Sequence, residues 1–308
     1  MALSKLSGDE QRIVFVQLCN VLEPRLAVAL SSTCNELRTA TEALLQQLRG
    51  DHEAAAALCR KVGMRSCKEL REAKQVDWRN RGLSSDDLAL LGTLGSVLPA
   101  LQTLILQEPA AGPDGMQRLA EGLGAGALPA VIYLALVGVH VGDAGASTLA
   151  AALGRGALPR LKLLELSDAA MGDAGLVALA PALRQLHALE ILDLSTNPFG
   201  DEGLAALLAL PPPAGAPPTT TAGLKKLELL DLRATQITDA GCATLASALD
   251  SGALLVLERL YLDDCPASAA AKATVYEARA NLEGGESESE HELEESGSEE
   301  EEEEEEEE

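Results

Sequence analysis

A leucine pattern that returns six times constrains the fold of this chain more strongly than any other feature of its sequence. The spacing is L-x-x-L-x-L, and the copies begin at Leu101, Val131, Leu161, Leu189, Leu227 and Leu257. The last two apolar positions of each copy are two residues apart, which predicts a short strand with both side chains on one face. The first five copies continue with a glycine and a leucine, 14 and 18 residues after the first position. Apolar residues at helical spacing surround them and predict a helix that packs on one side.

A strand and a helix of this size cannot bury their own apolar faces, so the units must stack on one another. Stacking gives a solenoid with a parallel sheet, and this predicts the α/β fold class. An aspartate opens each predicted helix, at Asp114, Asp143, Asp173, Asp201 and Asp239. We expect each carboxylate to accept hydrogen bonds from the first turn of its own helix. The glycine that follows is expected to let helix and strand approach closely.

The pattern from about residue 73 to residue 265 resembles the leucine-rich repeat of the ribonuclease-inhibitor and Ran GTPase-activator type. The resemblance implies a solenoid with its strands on the concave face and its helices on the convex face. Trp78 stands at a leucine position of a degenerate additional repeat. The units are 30, 30, 28, 38 and 30 residues apart, which is longer than the usual range of about 20–29. The longest spacing contains a Pro/Thr-rich stretch at 211–222, which predicts an inserted surface loop.

Residues 1–50 lack the repeat pattern and are predicted to be helical. The stretch with Leu22, Pro24, Leu26 and Leu30, followed by C-N-E-L-R at residues 34–38, resembles an F-box. The resemblance implies that these four residues dock to a Skp-family linker protein. The alternative is a helical cap over the first repeat, because the exposed end of a solenoid needs a cover.

The rest of the chain divides into three further segments. Residues 51–72 are predicted to form a helical connector, with Asp51 capping its first helix. The solenoid is expected to span residues 73–281. Residues 282–308 form a polyacidic tail, in which residues 283–308 hold 17 acids and no lysine or arginine. Such a segment repels itself and is predicted to be disordered.

Four serines of the tail precede a glutamate by three residues. They are Ser287, Ser289, Ser296 and Ser298. This spacing is similar to the target pattern of acid-directed kinases such as casein kinase 2, and it predicts phosphorylation there.

Composition and residue spacing argue against several classes of function. With 48 acids against 24 bases, we expect no direct binding of nucleic acid. The six cysteines form no C-x-x-C pair and the four histidines have no partner at a fixed spacing, so we expect no metal, no cofactor, no catalytic residue and no enzyme activity. No apolar run approaches the ~20 residues that span a bilayer. Neither a membrane association nor a signal peptide is predicted, and we expect a cytoplasmic or nuclear location, or both.

Outward strand positions are the candidate partner-binding residues, since curved repeat proteins bind partners on their concave face. They are Asp77, Arg79, Ile105, Gln107, Tyr133, Val137, Glu165, Asp193, Asp231, Arg233, Arg259, Tyr261 and Asp263. We expect the early half of this face to be apolar and to take an aliphatic or aromatic anchor. The later half is expected to be acidic and to recognise a basic segment.

Three functions fit this organisation. An F-box-like start followed by leucine-rich repeats favours a non-catalytic substrate adaptor of a ubiquitin ligase. A Ran-type GTPase-activating protein is the second, because that family joins the same repeats to an acidic tail. This resemblance implies a small GTPase as partner, with Arg79, Asn80 and Arg81 as the nearby candidates for the family's exposed arginine and asparagine. The third is a binder or chaperone of basic nuclear proteins, which would bind them through the tail.

Overall fold

Seven parallel strands form one sheet, and they follow one another in sequence order. The computed structural model describes residues 20–33, 35–208, 224–252, 254–279 and 282–284. The strands are β1 (Gln75–Arg79), β2 (Thr103–Gln107), β3 (Tyr133–Leu136), β4 (Leu163–Glu165), β5 (Ile191–Asp193), β6 (Leu229–Asp231) and β7 (Arg259–Tyr261). Each strand pairs only with the strands of the adjacent repeats, as stacking of identical units requires.

Helices form the second layer. Before the sheet lie α1 (Arg25–Ser31), α2 (Asn35–Lys61) and α3 (Cys67–Glu72). After β1 they alternate with the strands as α4 (Ser85–Leu94), α5 (Gly112–Gly122), α6 (Gly142–Gly154), α7 (Asp173–Leu183), α8 (Asp201–Leu207), α9 (Asp239–Asp250) and α10 (Ala269–Glu277). Short 3-10 turns occupy Gly95–Val97 and Pro109–Ala111. From α4 onward each helix packs on its neighbours in sequence order. This arrangement confirms the predicted α/β repeat solenoid.

Leucines of the repeat fill the space between sheet and helices. In β2, Leu104 and Leu106 are fully buried, whereas Ile105 between them is half-buried on the opposite face. Trp78 occupies the corresponding position of β1 and is only 2% exposed, as predicted for a degenerate repeat. One continuous core therefore runs through all the stacked units.

The buried Asn197 stabilises the turn after β5. Its side-chain oxygen accepts hydrogen bonds from the amides of Ala169 (3.2 Å) and Met171 (3.0 Å) in the preceding repeat. Its side-chain nitrogen donates to the carbonyls of Leu166 (2.7 Å) and Leu194 (2.9 Å). One amide side chain thus satisfies backbone groups of two repeats, which would otherwise be buried without partners.

Four of the five recurring aspartates cap the helix of the following repeat and not their own helix, which corrects the prediction; they are Asp143, Asp173, Asp201 and Asp239. Oδ1 of Asp173 in α7 accepts hydrogen bonds from the amides of Gly200 (2.8 Å) and Gly203 (2.7 Å) at the start of α8. Oδ1 of Asp201 likewise accepts from the amide of Thr238 at 2.9 Å. Because stacked helices begin side by side, the carboxylate of one faces the unpaired first-turn amides of the next. A Cβ atom at Gly203 would lie 2.9 Å from Oδ1 of Asp173, so the recurring glycine makes room for this carboxylate.

The helical segment before the sheet covers the first repeat, since Leu22, Leu58 and Leu70 belong to the same buried core as Trp78. Helix α2 is continuous across residues 50 and 51, and Asp51 lies inside it, where its carboxylate accepts a hydrogen bond from Gln47 Nε2 at 3.0 Å. The prediction that Asp51 caps a helix is therefore wrong. The division into an F-box-like segment and a connector stays a prediction, and residues 1–19 and 34 of that segment lie outside the described residues.

The last described residues extend the sheet at its far edge. The amide of Leu260 donates to the carbonyl of Glu283 (3.0 Å), and the amide of Glu283 donates to the carbonyl of Glu258 (2.7 Å). This parallel pairing covers the open side of β7. Helix α10 (Ala269–Glu277) precedes this segment. The inserted loop at 211–222 and the four predicted phosphorylation sites lie outside the described residues.

Two general expectations can be compared with these ranges. Cys59, Cys67, Cys242 and Cys265 are free and buried, as small apolar side chains are, while Cys19 and Cys34 lie outside the described residues. None of the helices in the described ranges combines the length and the apolar character needed to cross a membrane.

Candidate partner-binding surface

Two rows of side chains cross the concave face, which is the face of the sheet turned away from the helices. The apolar row consists of Tyr133, Leu163, Ile191 and Leu229, which lie in register on β3 to β6. All four side chains are half-buried. They form a partly exposed apolar strip across four successive repeats, with neighbouring strands about 4.8 Å apart.

The acidic row lies two residues further along the strands. It consists of Glu165, Asp193 and Asp231, which are in register on β4, β5 and β6. The acids lie in the later repeats, as expected, but the apolar row is not confined to the early repeats and runs beside them to β6. The reason is that residues i and i+2 of a strand share one face, so each position forms its own row in an in-register parallel sheet.

Glu165 has a partner on the neighbouring strand. The phenol of Tyr133 donates a hydrogen bond to Oε2 of Glu165 at 2.7 Å. The pKa of Tyr133 is raised to about 12, mainly by burial of the phenol and further by the hydrogen bond to Glu165 and the charge of that carboxylate. Tyr133 therefore stays protonated and remains a donor to Glu165 at physiological pH.

Asp231 is the most buried member of the acidic row, at 3% exposure, and Arg233 neutralises it. Arg233 Nη2 lies 2.6 Å from Oδ2 of Asp231, and Nε lies 3.0 Å from both carboxylate oxygens. The hydrogen bond to Asp231 raises the pKa of Arg233 further above its usual range. The guanidinium also lies 5.2 Å from the ring centre of Tyr261, within reach of a cation–π interaction. Asp231 is thus already occupied by a cation of the same chain.

Asp193 lies between the other two acids of the row. Its carboxylate accepts a hydrogen bond from the amide of Ser195 at 2.9 Å, but no lysine or arginine of the described ranges forms an ion pair with it. Burial raises the pKa of Asp193, and the neighbouring charges of Asp231 and Glu165 raise it further, against the lowering effect of Ser195. The face therefore carries, beside the apolar row, a carboxylate that lies between two acids and forms no ion pair within the described residues.

The other candidate residues lie toward the two ends of the sheet. On β1, Arg79 donates to Asp77 through Nε (2.9 Å) and Nη2 (2.5 Å), and this contact lowers the pKa of Asp77. Half-buried candidates at the near end are Ile105, Gln107 and Val137, and those at the far end are Arg259, Tyr261 and Asp263. The structure thus brings Tyr133, Glu165, Asp193, Asp231 and Arg233 together and leaves the others on either side.

Sequence reasoning omitted Leu163, Ile191 and Leu229 from the candidate set. The signal for them was present, because the repeat register already places these positions on the outward face of each strand. What the sequence did not reveal is that they continue the row begun by Tyr133.

The described residues contain no group of three or more His, Cys, Asp or Glu side chains that could hold a metal ion. Nδ1 of His52 lies 2.7 Å from the carbonyl of Val21, at the helical end of the chain and far along the sequence from the two rows. The two rows offer shape, apolar contact and charge to a ligand.

Comparison with known families identifies the type of repeat in this chain. The Leucine Rich repeat family pattern matches residues 159–180, 185–208 and 223–246. The chain contains leucine-rich repeats. The matched segments include β4, β5 and β6, which carry the whole acidic row. A closer assignment to the ribonuclease-inhibitor or Ran GTPase-activator type stays a prediction.

The other comparisons assign neither a fold nor a function. A search of curated proteins found no match. Among solved structures, the chain is similar to a protein from Bacteroides fragilis, with 13% identity over 77% of this chain and 70% of the other, at a TM-score of 0.39. It is also similar to the Rad7 and Elc1 complex of yeast, with 13% identity over 90% of this chain and 92% of the other, at a TM-score of 0.24. At these TM-scores neither similarity carries information on function.

Proposed function

We propose that this chain is a non-catalytic protein-interaction module that binds its partner on the concave face of the leucine-rich-repeat solenoid. The observation that carries the proposal is the apolar row of Tyr133, Leu163, Ile191 and Leu229, which lies partly exposed beside the acidic row. Apolar strips bordered by polar groups are typical of surfaces that bind other proteins. Curved repeat solenoids offer such surfaces as extended binding faces.

Capture of partners from a cell extract tests this proposal. The tagged full chain is compared with a variant carrying Leu163→Ser and Ile191→Ser, which removes two apolar contacts without adding charge. Val177→Ser is the matched control, because Val177 on α7 is 40% exposed and lies on the helical layer. We expect the double variant to lose the specific partner by at least about fivefold and the control to keep it. Equal recovery by a folded double variant would contradict the proposal.

An F-box-like adaptor is the finer form of this proposal, and one observation favours it. Leu26 and Val28 on α1 are 63% and 38% exposed, so this helix offers apolar side chains to a second protein. Leu22 is only 3% exposed and Leu30 packs against the cluster of Ala27 and Leu48. Among the four proposed docking residues, Leu26 is the one most available to a Skp-family linker protein, and the half-buried Pro24 lies next to it.

Co-expression with a Skp-family linker protein tests the adaptor form. Deletion of residues 1–50 would cut through α2, so the point variant Leu26→Asp is the better probe. Leu255→Asp is the matched control, since Leu255 is 67% exposed in the loop before β7. Loss of the complex in Leu26→Asp alone, measured by size-exclusion chromatography, supports the adaptor. If the linker protein binds neither variant nor the original chain, this segment is only an end cap.

GTPase activation and the binding of basic nuclear proteins stay predictions. Arg79, one of the two candidates for an activating arginine, pairs with Asp77 in the same strand. Asn80 adopts the left-handed backbone conformation of the turn after β1 (φ 53°). Hydrolysis of GTP by a Ran-type GTPase in the presence of the chain is the assay for the first. The predicted binding of basic nuclear proteins depends on the tail, which lies outside the described residues.

A further inference from the structure

We infer that the partner inserts a lysine or arginine side chain whose apolar stem packs on Leu163 and Ile191 and whose cationic group binds Asp193. This inference rests on the proposed function, since it names the chemistry of the partner for the same face. The occupant is thus a basic protein segment in which a cationic residue is flanked by apolar ones.

The charge arrangement is the first argument. Glu165, Asp193 and Asp231 are direct neighbours on adjacent strands, and like charges directly opposite one another destabilise a sheet. Only Asp231 has an ion-pair partner in the described chain, which is Arg233. Glu165 and Asp193 accept hydrogen bonds from neutral donors, the phenol of Tyr133 and the amide of Ser195. Asp193 lies between the other two acids, and Arg233, which acts on its charge, is already paired with Asp231, so a cation from a partner would offset the repulsion in the row.

The distance between the two rows is the second argument. Ile191 and Asp193 lie two residues apart on β5, which corresponds to about 6.6 Å along a strand. Lysine and arginine side chains have an apolar stem of comparable length that ends in a charged group. A single such side chain can therefore cover the apolar row and reach the acidic row at once. An apolar side chain would leave Asp193 without a partner, and an acidic one would be repelled.

The arginines on the same face do not repel a cationic side chain that binds at Asp193. Arg233, the cation nearest Asp193 on β6 and its following turn, is held by Asp231 and stacked toward Tyr261. Arg79 is held by Asp77 at the first strand. Both charges are compensated by an aspartate of the same repeat, and Arg259 lies two strands away from Asp193 on β7, so the centre of the face keeps its negative character.

Binding of a synthetic peptide to the full chain tests the inference. The probe is a fluorescent amphipathic peptide of leucine and lysine, and the control peptide has glutamine at every lysine position. We expect the lysine peptide to bind more tightly, and Asp193→Asn to weaken it about tenfold. Asp193→Glu, which keeps the charge, should retain most of the affinity. Glu202→Gln removes an exposed acid of α8 and serves as the matched control.

The acidic tail is present in every variant, so its own attraction for lysine contributes equally to all of them. Equal affinity of the original chain and Asp193→Asn would overturn the inference and assign the binding to the tail. Two further outcomes distinguish failure of this inference from failure of the proposed function. If Leu163→Ser with Ile191→Ser abolishes partner capture while Asp193→Asn leaves both capture and peptide binding unchanged, the face binds a partner of other chemistry. If neither change affects capture, the concave face is not the binding surface.

Discussion

Oδ1 of Asp143 accepts hydrogen bonds from two amides of the next repeat, those of Gly172 (2.8 Å) and Gly175 (3.0 Å). Gly175 is the recurring glycine of its repeat, and a Cβ atom there would lie 2.6 Å from the same Oδ1. The aspartate and the glycine, 32 residues apart, therefore depend on each other. Asp173 and Gly203 repeat the relationship one unit later. This ladder links successive repeats through polar contacts on the helical layer.

Gly175→Ala should destabilise the solenoid by about 2–3 kcal/mol, because overpacking and a displaced hydrogen bond add together. The new Cβ would also meet Met171 Cγ at 2.7 Å and the Cα atom of Asp143 at 3.0 Å. Urea denaturation followed by circular dichroism measures the effect. Gly124→Ala is the control, since no atom lies within 4 Å of its Cβ position. An equal midpoint for both variants would show that the close approach is relieved without cost.

Asp143→Ala should cost about 1–2 kcal/mol, because the start of α7 loses the acceptor for two amides. Asp143→Asn keeps a side-chain oxygen at the same place and should cost less. The order of the two variants in thermal unfolding is the readout. A larger loss for asparagine than for alanine would exclude hydrogen bonding to α7 as the role of Asp143.

Asp193→Asn should stabilise the free protein near pH 7, in contrast to Asp143→Asn. Burial and the charges of Asp231 and Glu165 raise the pKa of Asp193 in the folded state, while Arg233 and Ser195 are the groups nearby that oppose this shift. A raised folded pKa means that stability is lost as the pH rises through it. The advantage of the variant should therefore shrink as the pH falls toward about 3.9, the ordinary value of aspartate. Unfolding in urea from pH 7 to pH 4 measures this, and a constant difference across the range would contradict it.

Arg233→Ala should destabilise the far part of the sheet by about 1–3 kcal/mol. The change leaves the buried carboxylate of Asp231 without its cation. The full cost of an unpaired buried charge is not expected, since the guanidinium itself is 44% exposed and screened by water. The double variant with Asp231→Ala should recover part of the loss, because no unpaired charge remains. If the double variant is as unstable as the sum of the single ones, the two residues are not coupled.

The sequence was sufficient to predict the strands, the helices and the inner face of each strand. The spacing of Leu104 and Leu106, repeated in every unit, already places both side chains in the core, and they are fully buried. Trp78 could be assigned to an additional strand for the same reason. These features follow from local periodicity, because a residue's face is set by its position within its own strand or helix.

The tertiary structure decided how the repeats meet. No local rule indicates that Asp143 binds the helix of the next repeat or that Tyr133 holds Glu165. It is the register between strands that makes one apolar row and one acidic row out of residues about 30 positions apart and places Asp193 between two other acids. The sequence determined the unit, whereas contacts between units, which depend on distances across the stack, decided the surface that we propose binds a partner.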